Sequence, residues 1–538
     1  MLAFVARLPL IVLPIALFLA LFNPATLQID NVGWLIRGSD NGENALGTHA
    51  FLHDDQAGWN LRTGLLNAPD GVSILFTDSN PLVTLAARPF AALLPNDAQL
   101  VGPWLLACLF LQIWFAWRLL KPHAPDAISL WCGVMLLAAL PTLMNRYIHA
   151  NLFAHWLILW ALWLFTDRDR ARSLPRWAIL LVVTALIHSY LLVMTAAIWA
   201  SAMLMIFWQA PTRRERLRIG LGSATILGML LAVESRLGAG GRFAVTGTYG
   251  YFAMPLDALW NPANPGYRTL LPAIPQREGR GLEGFQYLGL GILLLVPAAI
   301  YATSKYRGDA AERGILRRLA WLVPAFVVLA LIAVSPFPDF AGAKVARFTL
   351  PEALAPYLDL VRASGRLFWP VAYTLAFALL LLVFRLPERR APLLLAGALA
   401  VQAADTAGIA AAVRATSAEA AHRETYVRTL DPRWDTAIVA AHDVTFVPAR
   451  AEADLGLFQE VAWRSINHGR PMRLVYAARK SPATEARLAS ETADFIAGKL
   501  APDRLYVLLN PVRIPQSARA RELVLDGITV IVPQRMTR

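Results

Sequence analysis

An acidic pair lies in the long polar segment that follows the first apolar run of the chain. Asp54 and Asp55 are adjacent, and Trp59 and Gly64 follow them. A carboxylate at this place could accept a proton from a hydroxyl nucleophile. It could also hold a divalent cation, such as Mg²⁺ or Mn²⁺, together with a phosphate. An adjacent acid pair is equally typical of a solvated turn at the end of a helix, so the spacing alone leaves both interpretations open.

A second polar segment, residues 76–82, follows in the same loop. Asp78 and Ser79 precede Pro81, and this order is typical of residues that cap a helix beginning at the proline. The apolar stretch after Pro81 is interrupted at Arg88 and the proline behind it. We therefore predict a helix that lies at the membrane interface or dips into it, and does not span it.

Cationic side chains stand at the ends of several apolar runs. Arg146 falls in a tight turn between two of them, and a cation at the outer membrane surface suits a lipid phosphate. Arg362 and Arg366 are four residues apart, so on a helix they would point at one anion. His188 lies inside an apolar run, where an ionisable residue is a functional candidate. A neutral histidine bonded to a neighbouring helix is the alternative.

Three aromatic residues near the predicted outer ends of helices are candidates for contacts with a sugar ring or a prenyl chain: Tyr249, Tyr287 and Trp369. The alternative is an aromatic belt at the membrane–water interface. His149 and His155 are six residues apart and do not share a helix face, which argues against a metal site built from them. Asp405, in the last apolar run, is either a helix-packing contact or a half-buried functional acid.

The amino-acid composition indicates which kind of fold positions these residues. Of 538 residues, 57% are hydrophobic and only 16% are charged, and the mean hydropathy is +0.47; soluble domains carry about 25% charged residues. The chain is therefore predicted to be a polytopic membrane protein, with the lipid bilayer as its surroundings. The net charge is +13, and basic residues cluster in short loops between apolar runs, which favours a topological role and no nucleic-acid partner.

A bilayer requires about 20 apolar residues per helix, and the sequence offers about eleven such runs. The run 177–209 is too long for one helix and has basic flanks on both sides, so we divide it near Ser189. The predicted spans lie near residues 4–22, 100–120, 128–145, 148–166, 177–192, 193–209, 217–236, 286–303, 319–335, 367–384 and 391–411.

Orientation follows from the basic loops near residues 167–176, 213–218, 305–318 and 385–390, which fall on one side if the N-terminus is cytoplasmic. The first run is expected to be an uncleaved anchor and not a signal peptide. The membrane part is then residues 1–411, with a large outer loop at 23–99. Residues 412–538 alternate strand and helix patterns, which predicts a small extracytoplasmic α/β domain. Its strands are expected at 437–447, 473–477, 505–509 and 528–532, and its helices at 455–467 and 485–500.

The order of these features resembles the membrane glycosyltransferases of the GT-C superfamily, on the residues Asp54, Asp55, Trp59, Gly64 and Pro81. Over residues 1–411, the chain also resembles DUF6311, a bacterial family of multi-pass proteins grouped with them. The segments that carry this second resemblance are 76–82, 188–190, 283–289 and 364–370.

The resemblance implies an inverting glycosyltransferase of the bacterial inner membrane that serves the cell envelope. Its donor would be a polyprenyl-phosphate sugar, and its acceptor a periplasmic glycan, lipid or protein. Asp54 would be the base, and Asp55 would orient it or assist through a metal. The donor phosphate would bind to Arg146, Arg366 and Arg362, and substrate contacts would come from Trp59, His188, Tyr249, Tyr287 and Trp369.

Two features of the sequence depart from this pattern. Asp55 stands where the protein-mannosylating branch has glutamate, so a protein acceptor does not follow. The pair also lies farther from the first span than in many relatives, which keeps Asp40 and Glu43 as rival bases. A transporter or flippase of a lipid-linked glycan, or a non-catalytic envelope assembly protein, are the alternative functions.

Overall fold

The structure is a computed structural model that describes residues 7–237, 247–264, 266–306, 308, 310–387, 389–477, 480–509 and 512–537. Residues 4–6 of the first predicted span and parts of the segment between the predicted spans 217–236 and 286–303 lie outside the described residues. Each predicted span contains a helix: Pro9–Leu21, Val101–Leu120, Ala127–Ala138, Trp156–Thr166, Leu174–Ala185, Ser189–Gln209, Arg213–Leu237, Leu290–Lys305, Val323–Val334, Trp369–Val383 and Arg390–Ala415.

In the described part of the chain, six helical stretches are long and apolar enough to cross a membrane. They are Val101–Leu120, Ser189–Gln209, Arg213–Arg236, Glu312–Val334, Ser364–Val383 and Arg390–Ala415. The chain is thus a multi-pass membrane protein, while a count of eleven spans stays a prediction. The run 177–209 does break where the sequence predicts, because one helix ends at Ala185 and the next begins at Ser189.

The first outer loop is folded around one helix, Asp40–His53, which we call the loop helix. Ser39 caps it, with its side chain accepting a hydrogen bond from the Gly42 N–H at 3.1 Å. Asp40 and Glu43 lie in its first turn, where carboxylates interact favourably with the helix dipole. They are three residues apart and therefore project from the same side.

The loop continues into a hairpin whose two strands, Arg62–Thr63 and Val72–Ser73, have two residues each. A helix Pro81–Ala87 and a 3-10 turn Arg88–Leu93 follow. Asn80, and not Asp78 or Ser79, caps the helix at Pro81, since the Asn80 side chain accepts a hydrogen bond from Val83 N–H at 3.3 Å. The predicted capping by Asp78 is thus wrong, and the Asp78 side chain has no role in starting that helix.

Shorter elements complete the membrane part. The helices are Pro141–Met144, Arg168–Ala171, Arg280–Glu283, Ala310–Leu319 and Ala355–Asp359, and a second hairpin pairs Asp339–Phe340 with Ala343–Lys344. The 3-10 turns are Pro24–Leu27, Ala320–Leu322, Glu352–Leu354 and Ser364–Phe368.

The C-terminal part forms a four-stranded mixed sheet with helices, as the α/β prediction requires. In spatial order the strands are Asp443–Val447, Arg504–Leu508, Ile528–Ile531 and Glu522–Leu525; the first pair is parallel and the others are antiparallel. The helices are Arg433–Ala440, Leu455–Asn467, Pro482–Ile496 and Gln516–Arg519, with 3-10 turns at Ala418–Ala421, Ala451–Ala453 and Gln534–Thr537.

Two of the predicted strands differ from the structure. Asp443–Val447 is a strand, as the prediction 437–447 requires, but residues 437–440 belong to the helix Arg433–Ala440, which buries Trp434 and Ile438. Residues 473–477 form no strand, and the neighbouring Met472 makes an isolated bridge to Val444. The segment also bonds to the first outer loop, since the Asn67 N–H donates to the Leu474 carbonyl at 3.4 Å.

The C-terminal domain is seated on the first outer loop. Gln459 donates from Nε2 to the Ser39 carbonyl at 2.8 Å and accepts from the Gly38 N–H at 2.8 Å. Trp463 donates from Nε1 to the Asp97 carboxylate at 2.8 Å. The domain and the first outer loop, with its loop helix, are therefore packed directly against each other.

Candidate active site

A cavity of about 690 Å³ opens between the first outer loop, the C-terminal domain and the adjacent ends of the membrane helices. Most of the side chains that line it are charged or can form hydrogen bonds. The polar and aromatic residues that line it are Asp40, Glu43, Phe76, Asp78, Ser79, His149, Asn151, His188, Ser189, Tyr190, Glu234, Phe252, Glu283, Arg362, Arg366, Glu452 and Tyr476.

One side of the cavity is acidic and is built by Asp40, Glu43 and Asp78. Asp78 has a positive φ of 51°, a conformation that non-glycine residues rarely adopt. Its carbonyl accepts hydrogen bonds from Asn44 Nδ2 at 2.5 Å and Asn151 Nδ2 at 2.7 Å, which hold it in place. Burial, and after it the neighbouring Asp40 and Glu283 carboxylates, raise the pKa of Asp78, although His149 and Arg366 oppose the shift.

Gly47 allows the loop helix to lie directly against the segment that carries Asp78. A Cβ atom at Gly47 would lie 2.0 Å from Thr77 Oγ1 and 2.4 Å from Ser79 Oγ. Thr77 and Ser79 are both buried and hydrogen-bonded to each other at 3.0 Å, so neither side chain has free room to move. The close approach is what brings Asp40 and Asp78 to the same cavity.

We expect Gly47→Ala to destabilise the protein by about 1–2 kcal/mol. Alanine has a helix propensity about 1 kcal/mol more favourable than glycine. Overpacking of a buried contact costs about 1–3 kcal/mol. The 2.0 Å contact places Gly47→Ala at the upper end of that cost. Thermal unfolding in detergent micelles measures the difference. Gly58→Ala is the matched control, since its Cβ would meet nothing nearer than 3.8 Å; equal melting temperatures for both variants would contradict the expectation.

The opposite side of the cavity is basic and is organised by a buried ion triad. Glu283 accepts from Arg146 Nη1 at 2.7 Å, and Arg366 binds both Glu283 oxygens through Nε and Nη2. Burial alone would raise the pKa of Glu283, but Arg366 and then Arg146 outweigh it and hold the pKa well below its ordinary value. Two guanidinium groups share one carboxylate, so the triad carries a net positive charge.

His149 connects the two sides. Its Nε2 lies 3.3 Å from Asp40 Oδ2 and 3.8 Å from Glu283 Oε1, while its Nδ1 lies 3.9 Å from Asp78 Oδ2. The imidazole thus lies within 3.9 Å of three carboxylates.

Arg362 and Arg366 stand on the wall beside Tyr190. The Arg366 guanidinium lies 5.0 Å from the centre of the Tyr190 ring, and the Tyr190 hydroxyl accepts from the Ala363 N–H at 2.9 Å. Arg362 is half-buried, and within the described residues it forms no ion pair. Its charge is therefore the less compensated of the two.

The predicted acid pair does not line this cavity. Asp54 is buried at the end of the loop helix, where Oδ2 accepts from the Gly64 N–H at 2.6 Å and from Thr63 Oγ1 at 2.8 Å. Its Oδ1 accepts from the Gln56 N–H at 2.9 Å. Asp55 is exposed, and Trp59 is 85% exposed. The spacing of Asp54 and Gly64 therefore reflects a structural role, in which the hydrogen bond between them closes the segment after the loop helix.

The other predicted site residues divide into those that line the cavity and those that do not. Arg366, Arg362 and His188 line the cavity. Arg146 lies behind it in the ion triad, 5.5 Å from the buried Trp369 ring. Two tyrosines lie elsewhere in the packing: the Tyr287 hydroxyl donates to Asp405 Oδ2 at 2.7 Å, and the Tyr249 hydroxyl donates to the Ile332 carbonyl at 3.1 Å.

Asp54 and Asp55 do not suit the predicted Mg²⁺ or Mn²⁺ site. The Asp54 oxygens already accept three hydrogen bonds, and Asp55 projects to solvent. Across the described residues, no group of three or more His, Cys, Asp or Glu side chains could hold a metal ion. No reaction step is therefore assigned to a metal.

Several cavity residues carry no distinctive sequence signal. Tyr476 and Glu452 come from the C-terminal domain, and the Tyr476 hydroxyl lies 3.4 Å from Asp40 Oδ1. Burial, with help from Asp40, Glu43 and Asp78, raises the pKa of Tyr476, which keeps the phenol neutral. Glu283 does begin one of the segments, 283–289, that carry the resemblance to DUF6311, but its partners Arg146 and Arg366 are remote in the chain.

The chain matches two protein-family models and is similar to solved structures, while no curated protein matches the sequence. It is similar in structure to the solved "Archaeal oligosaccharyltransferase AglB from Archaeoglobus fulgidus in complex with an inhibitory peptide and a dolichol-phosphate", with a TM-score of 0.38, 12% identity, and coverage of 93% of this chain and 69% of that chain. A model described as "Domain of unknown function (DUF6311)" matches residues 11–407, and one described as "DUF6311 C-terminal domain" matches residues 433–533. The predicted family is therefore confirmed, and the chain belongs to DUF6311.

Proposed function

We propose that the chain is a membrane glycosyltransferase of GT-C type that transfers a sugar from a polyprenyl-phosphate donor to a hydroxyl acceptor on the extracytoplasmic side. The observation that carries this proposal is the division of the cavity into an acidic and a basic side. Asp40, Glu43 and Asp78 come from the first outer loop. Arg366 lies in the helical stretch Ser364–Val383, and Arg362 lies two residues before it. Such a cavity suits an acceptor hydroxyl on one side and a phosphate on the other.

An apolar groove supports a lipid-linked donor. It has a volume of about 430 Å³ and lies between the helices Val323–Val334 and Trp369–Val383. At their outer ends, Ser364 Oγ lies 3.4 Å from the Ala333 carbonyl, and Ser364 is two residues from Arg366. A lipid whose phosphate meets Arg362 and Arg366 would thus have an apolar groove close by for its chain.

The proposed reaction is a single displacement. Asp40 accepts the proton of the acceptor hydroxyl while that oxygen forms a bond to the anomeric carbon of the sugar. The bond between the anomeric carbon and the phosphate oxygen breaks, and polyprenyl phosphate leaves with the electron pair. Arg362 and the net positive triad at Arg366 stabilise the charge that develops on that phosphate. Attack opposite the leaving group inverts the anomeric centre.

Asp40 is the best-placed base among the acids of the loop. It is partly exposed, with 29% of its side-chain surface accessible, so a ligand in the cavity can reach it. His149 at 3.3 Å and Tyr476 at 3.4 Å orient its two oxygens. Asp54 has its oxygens engaged in a turn outside the cavity, and burial together with Asp78 raises the pKa of Glu43 well above its ordinary value.

Reconstitution tests the proposal. The purified protein in liposomes is given radiolabelled polyprenyl-phosphate hexoses from outside, together with an envelope extract as acceptor. We expect label to appear in an acceptor product and polyprenyl phosphate to be released in equal amount. Movement of the intact donor between leaflets without release of polyprenyl phosphate would contradict glycosyl transfer and favour the transporter.

Arg362→Gln is expected to weaken binding of a prenyl phosphate by about tenfold or more, since a hydrogen bond to a charged group contributes about 1.5–3 kcal/mol. Farnesyl phosphate is the probe, and its dissociation constant is measured by isothermal calorimetry in detergent. Arg268→Gln, an exposed arginine of an outer loop, is the control and should bind the probe like the wild type. Equal affinity in both variants would remove Arg362 from the donor site.

A further inference from the structure

Glu43 has a different environment from the other acids of the cavity. It is only 2% exposed and lines the cavity wall. Within the described residues, neither of its carboxyl oxygens has a hydrogen-bond partner. An unsatisfied buried polar group costs about 1–3 kcal/mol, so a protein retains one where a ligand supplies the missing partner or where the group has another role.

The charged groups that face Glu43 come from three parts of the chain. Asp40 precedes it on the loop helix, Asp78 comes from the next segment, and Lys480 and Glu452 come from the C-terminal domain. The only cation among these four is Lys480, whose Nζ is already bound to Glu452 Oε1 at 2.5 Å. An ionised Glu43 would therefore stand beside two further carboxylates with little compensation.

We propose that Glu43 stays an uncharged carboxylic acid and binds a hydroxyl group of the transferred sugar. This inference rests on the proposed function. It means that the cavity wall at Glu43 binds the neutral, hydroxyl-bearing sugar of the donor. A protonated carboxyl offers both a donor and an acceptor, and a sugar hydroxyl can use both, whereas an ionised phosphate oxygen can only accept. Two acids three residues apart then take different roles, with Asp40 as the base and Glu43 as a binding residue.

The direction of the pKa agrees with this assignment. Burial, and after it Asp78 and Asp40, raise the pKa of Glu43 well above its ordinary value, while Lys480 lowers it and Glu452 raises it. The neutral form binds the sugar, so donor binding weakens as the pH rises through the pKa of Glu43. The KM for the donor should rise over that pH range in the wild type.

Infrared difference spectroscopy tests the protonation state without turnover. The difference spectrum of the wild type minus Glu43→Gln, in which the bands of other protonated acids cancel, should show at neutral pH the C=O stretching band of a protonated carboxylic acid. Glu352→Gln, at an exposed glutamate, is the control, and the wild type minus this variant should show no such band. Absence of the band from the first difference spectrum would overturn the proposal, and so would its loss on addition of Mg²⁺ or Mn²⁺, which would make Glu43 a metal ligand.

Transfer kinetics test the contact with the sugar. Glu43→Gln keeps a neutral donor and acceptor, so its KM for the polyprenyl-phosphate hexose should stay within about threefold of the wild type and lose its rise with pH. Glu43→Ala should raise KM about tenfold or more. If Glu43→Gln, folded by size-exclusion chromatography, raises KM as much as Glu43→Ala, the proposal is wrong. Absence of transfer by the wild type would instead contradict the proposed function, and the infrared result would stand apart from it.

Discussion

Replacing Asp40 with asparagine is expected to lower the rate of glycosyl transfer by about 100-fold or more. General base catalysis contributes about 10²–10⁴-fold, and an amide of the same shape cannot accept the proton of the acceptor. The cavity should keep its form, because the oxygen of the new amide can still accept the hydrogen bond of Tyr476, whose hydroxyl lies 3.4 Å from Asp40 Oδ1. The initial rate at saturating donor, measured in proteoliposomes, gives the size of the loss.

Asp54→Asn is the comparison that distinguishes Asp40, the base that the structure favours, from Asp54, the base that the sequence predicts. The substitution disturbs the turn in which Asp54 accepts bonds from Thr63 and Gly64, so it should lower the melting temperature. The rate per folded molecule should nevertheless remain near that of the wild type. If Asp54→Asn abolished transfer and Asp40→Asn did not, the base would be in the acidic pair, as the spacing of the sequence suggests.

The membrane architecture was accessible from the sequence because its signal is local. A run of about 20 apolar residues is visible within one window, and the break before Ser189 followed from the basic flanks of residues 177–209. The C-terminal domain was predicted less well. Residues 437–440 and 473–477 have strand-like composition, yet tertiary packing placed the first in a helix and the second beside the sheet.

The site was accessible only in part, because its contacts join residues that are remote in the chain. Asp40 and Tyr476 are 436 positions apart, and Arg146 and Glu283 are 137 positions apart. Local spacing favours Asp54, since an acid followed by an aromatic residue and a glycine is a visible pattern. Asp40 and Asp54 stand at opposite ends of one helix, and only the packing of the loop decides which end faces the cavity.

Glu283→Ala is expected to destabilise the protein by about 3–5 kcal/mol, the usual cost of breaking a buried ion pair by removing one partner. The change leaves Arg146, which is fully buried, and Arg366, which is nearly so, without their shared carboxylate. Thermal and chemical unfolding in detergent measure the loss. Glu419→Ala is the matched control, because its partner contact with Arg37 is exposed and such pairs contribute about 1 kcal/mol or less.

The pH dependence of stability gives an independent check on the same triad. The pKa of Glu283 is held below its ordinary value of 4.5 in the folded protein, so the ion triad stabilises the fold fully above that pH. The stabilisation is lost as the pH falls below 4.5 toward the folded-state pKa, because the unfolded chain then binds the proton first. Glu283→Ala has no carboxyl to titrate, so its stability should fall less steeply with acid than that of the wild type. Parallel acid curves for the two proteins would show that Glu283 does not stabilise the arginines, and the basic side of the cavity would then need another explanation.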